Sequence, residues 1–467
     1  MTDGTPSGTR NGPGPGSGTA HDVIAIGCGP FNLGLAALAS TVDGLDLVVL
    51  EERPELTWHR GLMFGDASMQ VNFLADLVTL VSPRHPLSFL EYLHDNDRLY
   101  TFTVRENFFP SRREYEDYLR WAAARLPSLR FAHRVERVHW DPADGRFAVH
   151  AVRGDGTRPV LRARDLVLGI GSAPYVPDAL AGLPPDRLLH TGDYLYRTAD
   201  VAAARRVTVV GSGQSGAEVA ADLLGRNLAG GPAVAWLTRT GSFAPLDYTR
   251  LVLEMTTPAY MRYFHSLPEE TRDRLAREQW QFHKGISTGT LDEIHELLYR
   301  RQLEPGLADV ELRPGTTVES AAVDPAGRAV LRCRHRDTGR AFAHTTDLVV
   351  AATGYRDRTP AFLGPVAGLV ARDGRGRPRV RLDHSLELAG DVTGRIFVAN
   401  AGTHSHGVSS PNLDIGAVRN AAILNAVTGR EAYRLPRRSA FTSFAPPRHR
   451  EPPGHPAPPN PQDSMSR

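Results

Sequence analysis

Two glycine-rich segments have the residue types and the spacing that could bind nucleotide cofactors. The first reads Gly-Cys-Gly-Pro-Phe-Asn at 27–32 and directly follows an apolar run at 23–26. The second reads Gly-Ser-Gly-Gln-Ser-Gly at 211–216 and directly follows an apolar run at 207–210. Glycine allows a tight turn and a close approach of the backbone to a diphosphate, whose negative charge then faces the N-terminus of the next helix. Two such turns predict a flavoprotein that is reduced by a nicotinamide nucleotide.

Each turn supplies several predicted cofactor contacts. They are Gly27, Gly29, Pro30 and Asn32 in the first turn, and Gly211, Gly213, Gln214, Ser215 and Gly216 in the second. Glu51 ends the next strand after the first turn, where a carboxylate would accept hydrogen bonds from the ribose of adenosine; a solvated glutamate is the alternative. Arg239 follows the corresponding strand after the second turn. Because an arginine pairs with a 2′-phosphate that a carboxylate would repel, Arg239 favours NADPH over NADH, with a plain solvated loop as the alternative.

The pattern around these turns predicts an α/β fold with two Rossmann-like dinucleotide-binding domains. We expect the NADPH domain at 201–340 to be inserted in a discontinuous FAD domain at 21–200 and 341–435. The strand at 347–351 is predicted to return the chain to the first domain, and an irregular insertion in the first part would cover the flavin. Residues 250–303 have a polar helical pattern and are expected to form a small helical region beside the substrate.

Length and composition restrict the class of protein. The 467 residues exceed one ordinary core, and the net charge of +2 gives no electrostatic case for nucleic acid or an anionic membrane. The cysteines are Cys28 and Cys333, which excludes a disulfide scaffold and suits a reducing cytoplasm. No apolar run is long enough to span a membrane, and no metal site is predicted. The biased composition of 1–20 and 436–467 predicts an unstructured leader and tail.

Further motifs follow one another along the chain. In order they are Asn32 in place of a third glycine, Trp58-His59, the nine residues from Met69 to Leu77, His190-Thr191 to Tyr194, Ala352-Thr353-Gly354-Tyr355, and the segment from His406-Gly407 to Asp414. Together they resemble the N-hydroxylating flavin monooxygenases, which hydroxylate the side-chain amine of ornithine or lysine, or one amine of a diamine, for hydroxamate siderophores. The resemblance implies that Trp58, His59, Gln70, Thr353, Gly354, Tyr355, His406 and Gly407 contact the cofactors.

The resemblance also implies an activity. It is that of an FAD- and NADPH-dependent N-monooxygenase, which uses O2 and a flavin C4a-hydroperoxide to convert a primary amine to a hydroxylamine. The flavin carries the difficult chemistry, so the protein must bind, orient and exclude water. For that reason no catalytic side chain is assigned. Members of the family are often homotetramers, and we expect a cytoplasmic enzyme that contacts neither nucleic acid nor membrane.

The predicted substrate pocket departs from the amino-acid enzymes at the positions that bind an α-carboxylate. In those enzymes a lysine pairs with the carboxylate, and that position is Ala75 here. Two asparagines of the same enzymes fall near Leu253 and His283, and a late serine corresponds to Asp414. Asn72 belongs to the same flavin-facing segment as Ala75. Because a buried charge without its partner is costly, the pattern favours the diamine branch, whose members act on cadaverine or putrescine. Asp414 would then meet the distal ammonium.

Three basic residues favour an alternative substrate. Arg60, Arg84 and His85 stand where smaller or less basic residues are expected. If they line the pocket, they would repel a dication and suit an acidic amino acid, such as L-aspartate hydroxylated at its α-amine. If they lie on the surface, they carry no such meaning. Side-chain hydroxylation of L-lysine or L-ornithine is a further alternative. More distant alternatives are another flavin monooxygenase with the same hydroperoxide and a flavoprotein reductase that passes electrons to a carrier.

Overall fold

A computed structural model describes residues 20–65, 67–303 and 307–446. Each glycine turn directly follows a short strand that is largely buried. The strands are β1 Ala20–Ile26, β2 Leu47–Leu50, β3 Leu129–Arg130, β4 His133–Asp141, β5 Arg146–Arg153, β6 Val160–Leu168, β7 Ala173–Pro174, β8 Leu188–His190, β9 Arg206–Val210, β10 Ala233–Leu237, β11 Val310–Arg313, β12 Thr316–Val323, β13 Ala329–His335, β14 Ala341–Thr346, β15 Leu348–Ala351, β16 Tyr355–Arg356 and β17 Arg395–Val398.

The helices include the two that follow the glycine turns. They are α1 Pro30–Ala39, α2 Phe89–Asp95, α3 Leu99–Val104, α4 Arg112–Ala123, α5 Thr198–Ala203, α6 Gln214–Leu228, α7 Arg250–Leu253, α8 Pro258–His265, α9 Glu269–Glu278, α10 Gln281–Lys284, α11 Thr288–Leu303, α12 Thr403–His406 and α13 Gly416–Thr428. Within the described part of the chain, no helix combines the length and the apolarity that a membrane span requires.

The first sheet has the strand order β3-β2-β1-β6-β5-β4, and β17 also pairs with β6. Strand β1 is central and parallel to both neighbours, so both of its faces are buried. Val23 and Ala25 pack into one apolar cluster, whereas Ile24 and Ile26 pack into another on the opposite face. Successive side chains alternate between faces, so an unbroken apolar run is what a strand covered on both sides needs.

The second sheet is wholly parallel, with the order β11-β10-β9-β15-β8. Its strands come from the chain between β6 and β17 of the first sheet. The prediction that the strand at 347–351 returns to the first domain is wrong, because β15 pairs with β9 and β8. The return occurs at β17 instead. A short apolar strand carries no local signal of its partner, which explains the error.

The C-terminal segment 437–446 contacts the helical region instead of forming an unstructured tail. The ring of Phe444 lies 4.9 Å from that of Tyr260, and the Glu254 carboxylate accepts the backbone N–H groups of Phe441 and Thr442 at 2.8 Å each. The predicted start of the tail at 436 is therefore too early, since composition does not reveal these long-range contacts. The predicted leader and residues 447–467 lie outside the described part of the chain.

Candidate active site between two glycine turns

One large cleft is lined by residues of both glycine turns. Its volume is about 2110 Å³, which exceeds the ~300–1,000 Å³ of an ordinary small-molecule pocket. The walls include the carboxyl ends of β1 and β9, which are the strand ends where α/β sheets bind nucleotides. The cleft is therefore large enough for two extended cofactors, one at each turn.

The first turn has an open cradle for a phosphate. Gly27 has a φ of 89°, and a Cβ there would lie 2.6 Å from the Gly169 carbonyl oxygen. A Cβ at Gly29 would instead meet no protein atom within 4 Å, since this position faces the cleft. Gly29 is also the N-cap of α1 and no side chain caps it, with Pro30 in the first helical turn. The free N–H groups of α1 thus point at the place where a diphosphate fits.

Glu51 and Asn32 both hold the first turn in shape. One Glu51 carboxylate oxygen accepts the Cys28 N–H at 2.7 Å, and Glu51 also lines the cleft, as predicted for a ribose contact. Burial, followed by the Glu51 charge, raises the pKa of the Cys28 thiol to about 12, which makes it unreactive. Asn32 is fully buried and donates to the Ile26 and Gly27 carbonyls at 3.1 and 2.8 Å. It does not line the cleft, so its predicted cofactor contact is wrong.

The second turn repeats this geometry. Gly211 has a φ of 123°, and a Cβ there would lie 2.1 Å from the Ala352 carbonyl oxygen. Gly213 is the uncapped N-cap of α6, and the nearest atom to a Cβ would be the Lys284 carbonyl oxygen at 3.8 Å. Arg239 extends into the cleft, exposed and with no hydrogen-bond or ion-pair partner in the described ranges. This free guanidinium suits the predicted 2′-phosphate.

Trp58, His59 and Gln70 form the opposite wall of the cleft. The Gln70 amide nitrogen is buried and has no hydrogen-bond partner among the residues described, which leaves a donor for a bound ring system. The enclosing walls desolvate His59, and Arg112 and Arg53 add like charge, so its pKa falls to about 4. His59 is therefore neutral at physiological pH.

The Ala-Thr-Gly-Tyr segment joins β15 of the second sheet to β16, which pairs with β7. Thr353 donates through its hydroxyl to the Tyr175 carbonyl, and the Gly354 carbonyl lies 3.0 Å from the His190 ring nitrogen. The Tyr355 ring packs edge-on against His190 at 5.0 Å. All three predicted residues of this segment line the cleft. The contacts of His190 with Gly354 and Tyr355 hold the segment in place.

His406 and Gly407 are not cofactor contacts. His406 is fully buried, and its ring stacks on His384 at 4.1 Å and lies 5.1 Å from His265. Burial lowers the pKa of His406 to about 3 and holds that of His384 below its usual value, so these two stacked rings are neutral. A Cβ at Gly407 would lie 3.0 Å from the Phe264 ring. The His-Gly motif therefore positions the following loop, and no local pattern indicates its buried partners.

Asp414 lies against two tyrosines beside the cleft. Its carboxylate has no hydrogen-bond or ion-pair partner within the described ranges, and burial raises its pKa to about 6. Burial, followed by the charges of Asp76 and Asp414, raises the pKa of Tyr115. Burial, followed by the Asp414 charge, raises the pKa of Tyr248 to about 12. Tyr248 lines the cleft, and so does Asn412, two residues before Asp414. Sequence reasoning missed Tyr248, which no motif marks.

Like Asp414, four other predicted substrate residues do not line the cleft. Ala75 is buried, with its carbonyl 3.4 Å from the Tyr115 hydroxyl. Asn72 is exposed and its side chain accepts the Leu74 N–H at 2.8 Å, which closes a turn. Leu253 is 36% exposed on α7. The side chain of His283 lies outside the described part of the structure, although its backbone belongs to α10.

The three basic residues that favoured an acidic substrate do not share one site. Arg60 lines the rim of the cleft, where it pairs with Glu55 at 2.7 Å. Arg84 is exposed and is not part of the cleft wall. His85 is buried, and its Nδ1 accepts the Leu87 N–H at 3.1 Å. Arg84 and His85 therefore do not line the cleft, and of the three basic residues Arg60 alone could meet an acidic substrate there.

Comparison with known proteins agrees with this geometry. Residues 19–357 match the family described as L-lysine 6-monooxygenase/L-ornithine 5-monooxygenase. The chain belongs to this family. It is a flavin-dependent N-monooxygenase, as the order of its motifs predicted.

Three members of the family are informative. The putrescine N-hydroxylase of Shewanella oneidensis is 38% identical over 92% of this chain and 85% of its own length. The FAD-bound cadaverine monooxygenase of the desferrioxamine pathway of Erwinia amylovora is 38% identical, with a TM-score of 0.88 over 92% of this chain and 99% of its own. The Kutzneria ornithine N-hydroxylase, with reduced FAD, NADP+ and L-ornithine, is 26% identical, with a TM-score of 0.82 over 88% and 99%.

The site of this N-monooxygenase has the donors that two dinucleotides require. Two uncapped helix N-termini face the same cleft. So do the Gln70 amide nitrogen and the Arg239 guanidinium, which have no partner among the described residues. Lys284, the only lysine of the chain, lines it too. The cluster of cationic and N–H donors fits phosphate-bearing cofactors.

Proposed function

We propose that this enzyme N-hydroxylates one primary amine of a short aliphatic diamine, such as cadaverine or putrescine. The observation that carries the proposal is Asp414, a half-buried carboxylate without a partner in the described residues, beside the cleft-lining Tyr248. A carboxylate in such a place is costly unless a cation joins it. The distal ammonium of a diamine supplies that cation. The relatives that act on putrescine and cadaverine support this reading.

The position that would bind an α-carboxylate has no cation. In the amino-acid enzymes a lysine occupies that place, and here it is Ala75, which is 3% exposed. Asp414 itself would repel an α-carboxylate brought to its side of the cleft. The site therefore discriminates by charge, attracting an ammonium and rejecting the head group of lysine or ornithine.

FAD and NADPH are the cofactors of this enzyme. We assign FAD to the first glycine turn, with Glu51, Trp58, His59 and Gln70 around it, and NADPH to the second turn with Arg239. On this assignment the NADPH domain is inserted in a discontinuous FAD domain, since the second sheet comes from chain between β6 and β17. Bound FAD supplies the oxygen-activating chemistry, and the protein orients the amine and keeps out water.

The protein must also deliver the reacting amine without its proton. An alkylamine has a pKa of ~10.4 in water, and transfer into the cleft lowers it because the charged form loses hydration. Asp414 keeps the other end of the diamine charged. The two ends of the substrate thus meet opposite environments, which fixes which nitrogen is oxidised.

A substrate panel tests the proposal. FAD-loaded enzyme with NADPH and O2 is given cadaverine, putrescine, L-lysine, L-ornithine or L-aspartate, and hydroxylamine and hydrogen peroxide are measured together. We expect coupled hydroxylamine from the diamines and mostly peroxide from the amino acids. Hydroxylamine from aspartate alone, or from lysine or ornithine alone, would show that the substrate assignment is wrong.

The product suits siderophore assembly, in which the hydroxylamine is acylated to a hydroxamate. The cytoplasmic location and the homotetramer stay predictions from the sequence. Size-exclusion chromatography with light scattering on the purified enzyme would test the oligomeric state.

A further inference from the structure

A buried ion pair joins the two glycine turns through their neighbouring helices. Arg112, the first residue of α4, donates to the Glu218 carboxylate of α6 through two nitrogens, at 2.8 and 2.5 Å. The Arg112 and Glu218 side chains are only 15% and 9% exposed. Such bidentate pairs fix direction as well as distance. The contact therefore restricts how α4 and α6 can move relative to each other.

The Arg112 end of this pair belongs to the flavin-facing wall. Its guanidinium also donates to the Leu62 carbonyl at 3.3 Å, and its backbone N–H donates to the Ala67 carbonyl at 2.8 Å. The same charge contributes to the lowered pKa of His59. Arg112 thus contacts the chain at two points between His59 and Gln70.

The Glu218 end belongs to α6, the helix that begins at the second glycine turn. Gln214 of this turn donates its amide N–H to Glu218 at 2.9 Å and to the Thr290 hydroxyl at 3.0 Å. Its amide oxygen accepts the Ser287 N–H at 2.8 Å. Glu218 therefore orients Gln214, and through Gln214 the start of α11.

Elsewhere the two walls meet through backbone and apolar contacts. A Cβ at Gly61 would lie 1.8 Å from the Gly192 carbonyl oxygen, so two backbone segments touch there. Beside them, Leu62 and Phe64 pack into the apolar cluster of the second sheet, with the Phe64 ring 5.8 Å from that of Tyr194. Apolar contacts hold the walls together but are not directional. The Arg112–Glu218 pair lies on a different part of the seam and supplies directional restraint.

We propose that Glu218 and Arg112 are positioning residues that set the distance between the two cofactor sites for hydride transfer. The proposal rests on the assignment of FAD to the first turn and NADPH to the second. Each turn binds its own diphosphate through backbone N–H groups, and Gln214 keeps its hydrogen bonds to Thr290 and Ser287 without the pair. We therefore expect loss of the pair to leave both affinities nearly unchanged. It alters the approach of the two rings, and an error of ~1 Å there lowers a rate by ~100-fold.

The variant Glu218→Gln tests this role, because it keeps the side-chain shape and removes the charge. Anaerobic stopped-flow without any amine measures flavin reduction by saturating NADPH, so the result does not depend on the identity of the substrate. We expect the limiting rate to fall at least tenfold, while FAD content and the Kd for NADP+ stay within about twofold. The matched control is Asp309→Asn, which breaks the Arg301–Asp309 pair at 2.7 Å within the second unit. The control should lower the Tm and leave the reduction rate unchanged.

Amide hydrogen exchange gives a second measurement that needs no turnover. In the wild-type enzyme we expect NADP+ to protect 59–70 as well as 211–216, since the pair couples the two walls. In Glu218→Gln the protection should remain at 211–216 and disappear from 59–70.

Two results would overturn the proposal. One is a wild-type limiting rate in Glu218→Gln with a lower Tm, which would make the pair purely structural. The other is weaker NADP+ binding with an unchanged limiting rate, which would make Glu218 a binding residue. If Glu218→Gln does not fold, Arg112→Lys keeps the charge and loses the bidentate geometry, and the same two outcomes apply to it.

Discussion

Replacement of Asp414 by asparagine should separate activity from stability. Burial raises the pKa of the Asp414 carboxyl from 3.8 to about 6. A pKa difference of about two units means that ionised Asp414 is ~3 kcal/mol less favourable in the folded protein than in water. The native state therefore favours protonated Asp414, and the stability from this group is present below pH ~4 and lost as pH rises through about 6. At pH 8 the variant Asp414→Asn should thus be more stable than the wild type, by up to ~3 kcal/mol.

Activity should change in the opposite direction. A charge-assisted contact between Asp414 and the distal ammonium is worth ~1.5–3 kcal/mol. Its loss should lower kcat/KM for cadaverine or putrescine by ~10- to 150-fold. The wild-type pH profile of kcat/KM should also fall on the acid side of about pH 6, as the free enzyme gains a proton on Asp414. The variant should lack that acid limb.

The assay combines a coupled hydroxylamine measurement between pH 5 and 9 with thermal melting at pH 5 and 8. Asp357→Asn is the matched control, because Asp357 is another cleft carboxylate whose pKa is raised by burial. The control should keep the diamine activity. A diamine kcat/KM in Asp414→Asn within twofold of the wild type, with the acid limb intact, would refute the assignment of Asp414 to the ammonium.

Three other changes have defined outcomes. Gly29→Ala should fold but bind FAD at least tenfold more weakly, since its methyl group meets no protein atom within 4 Å and enters the place assigned to the diphosphate. Gly27→Ala should fold poorly, because a Cβ there meets backbone at 2.6 Å. Arg239→Ala should lower kcat/KM for NADPH by ~10- to 100-fold with little change for NADH, because the pairing with the 2′-phosphate is lost. Truncation after Pro436 should lower the Tm and raise the diamine KM, whereas truncation after Pro446 should change neither, because the contacts with α8 that the structure describes come from 437–446.

Each of these predictions has a result that contradicts it. For the glycine variants, absorbance measures the FAD content and thermal melting measures the stability. Full FAD occupancy in Gly29→Ala would show that Gly29 does not form the phosphate cradle. Steady-state kinetics with both nucleotides follow Arg239, where equal losses for NADPH and NADH would exclude a 2′-phosphate contact. For the truncations, equal Tm and KM values in the two shortened enzymes would mean that the segment 437–446 has no positioning role.

Local patterns in the sequence were sufficient to predict both nucleotide turns. Each turn is a strand, a glycine turn and a helix within about twenty consecutive residues, and the physical requirement is local. Gly27 and Gly211 need positive φ, and Gly29 and Gly213 need open space, as the structure has them. The order of the remaining motifs was specific enough to predict the family. The departure at Ala75 likewise pointed to a substrate without an α-carboxylate before any contact was known.

Tertiary structure alone decided which side chains face the cleft. Asn32 and His406 belong to the motifs, yet both are fully buried and act on the backbone or on other histidines. The pairing of β15 and the contact of Arg112 with Glu218, 106 residues away, have no local signal. Hydrophobic periodicity indicates whether a side chain is buried, but its contacts depend on how distant segments of the chain pack together. The sequence therefore determined the chemistry of this enzyme, and the packing decided the geometry and charge of its substrate side.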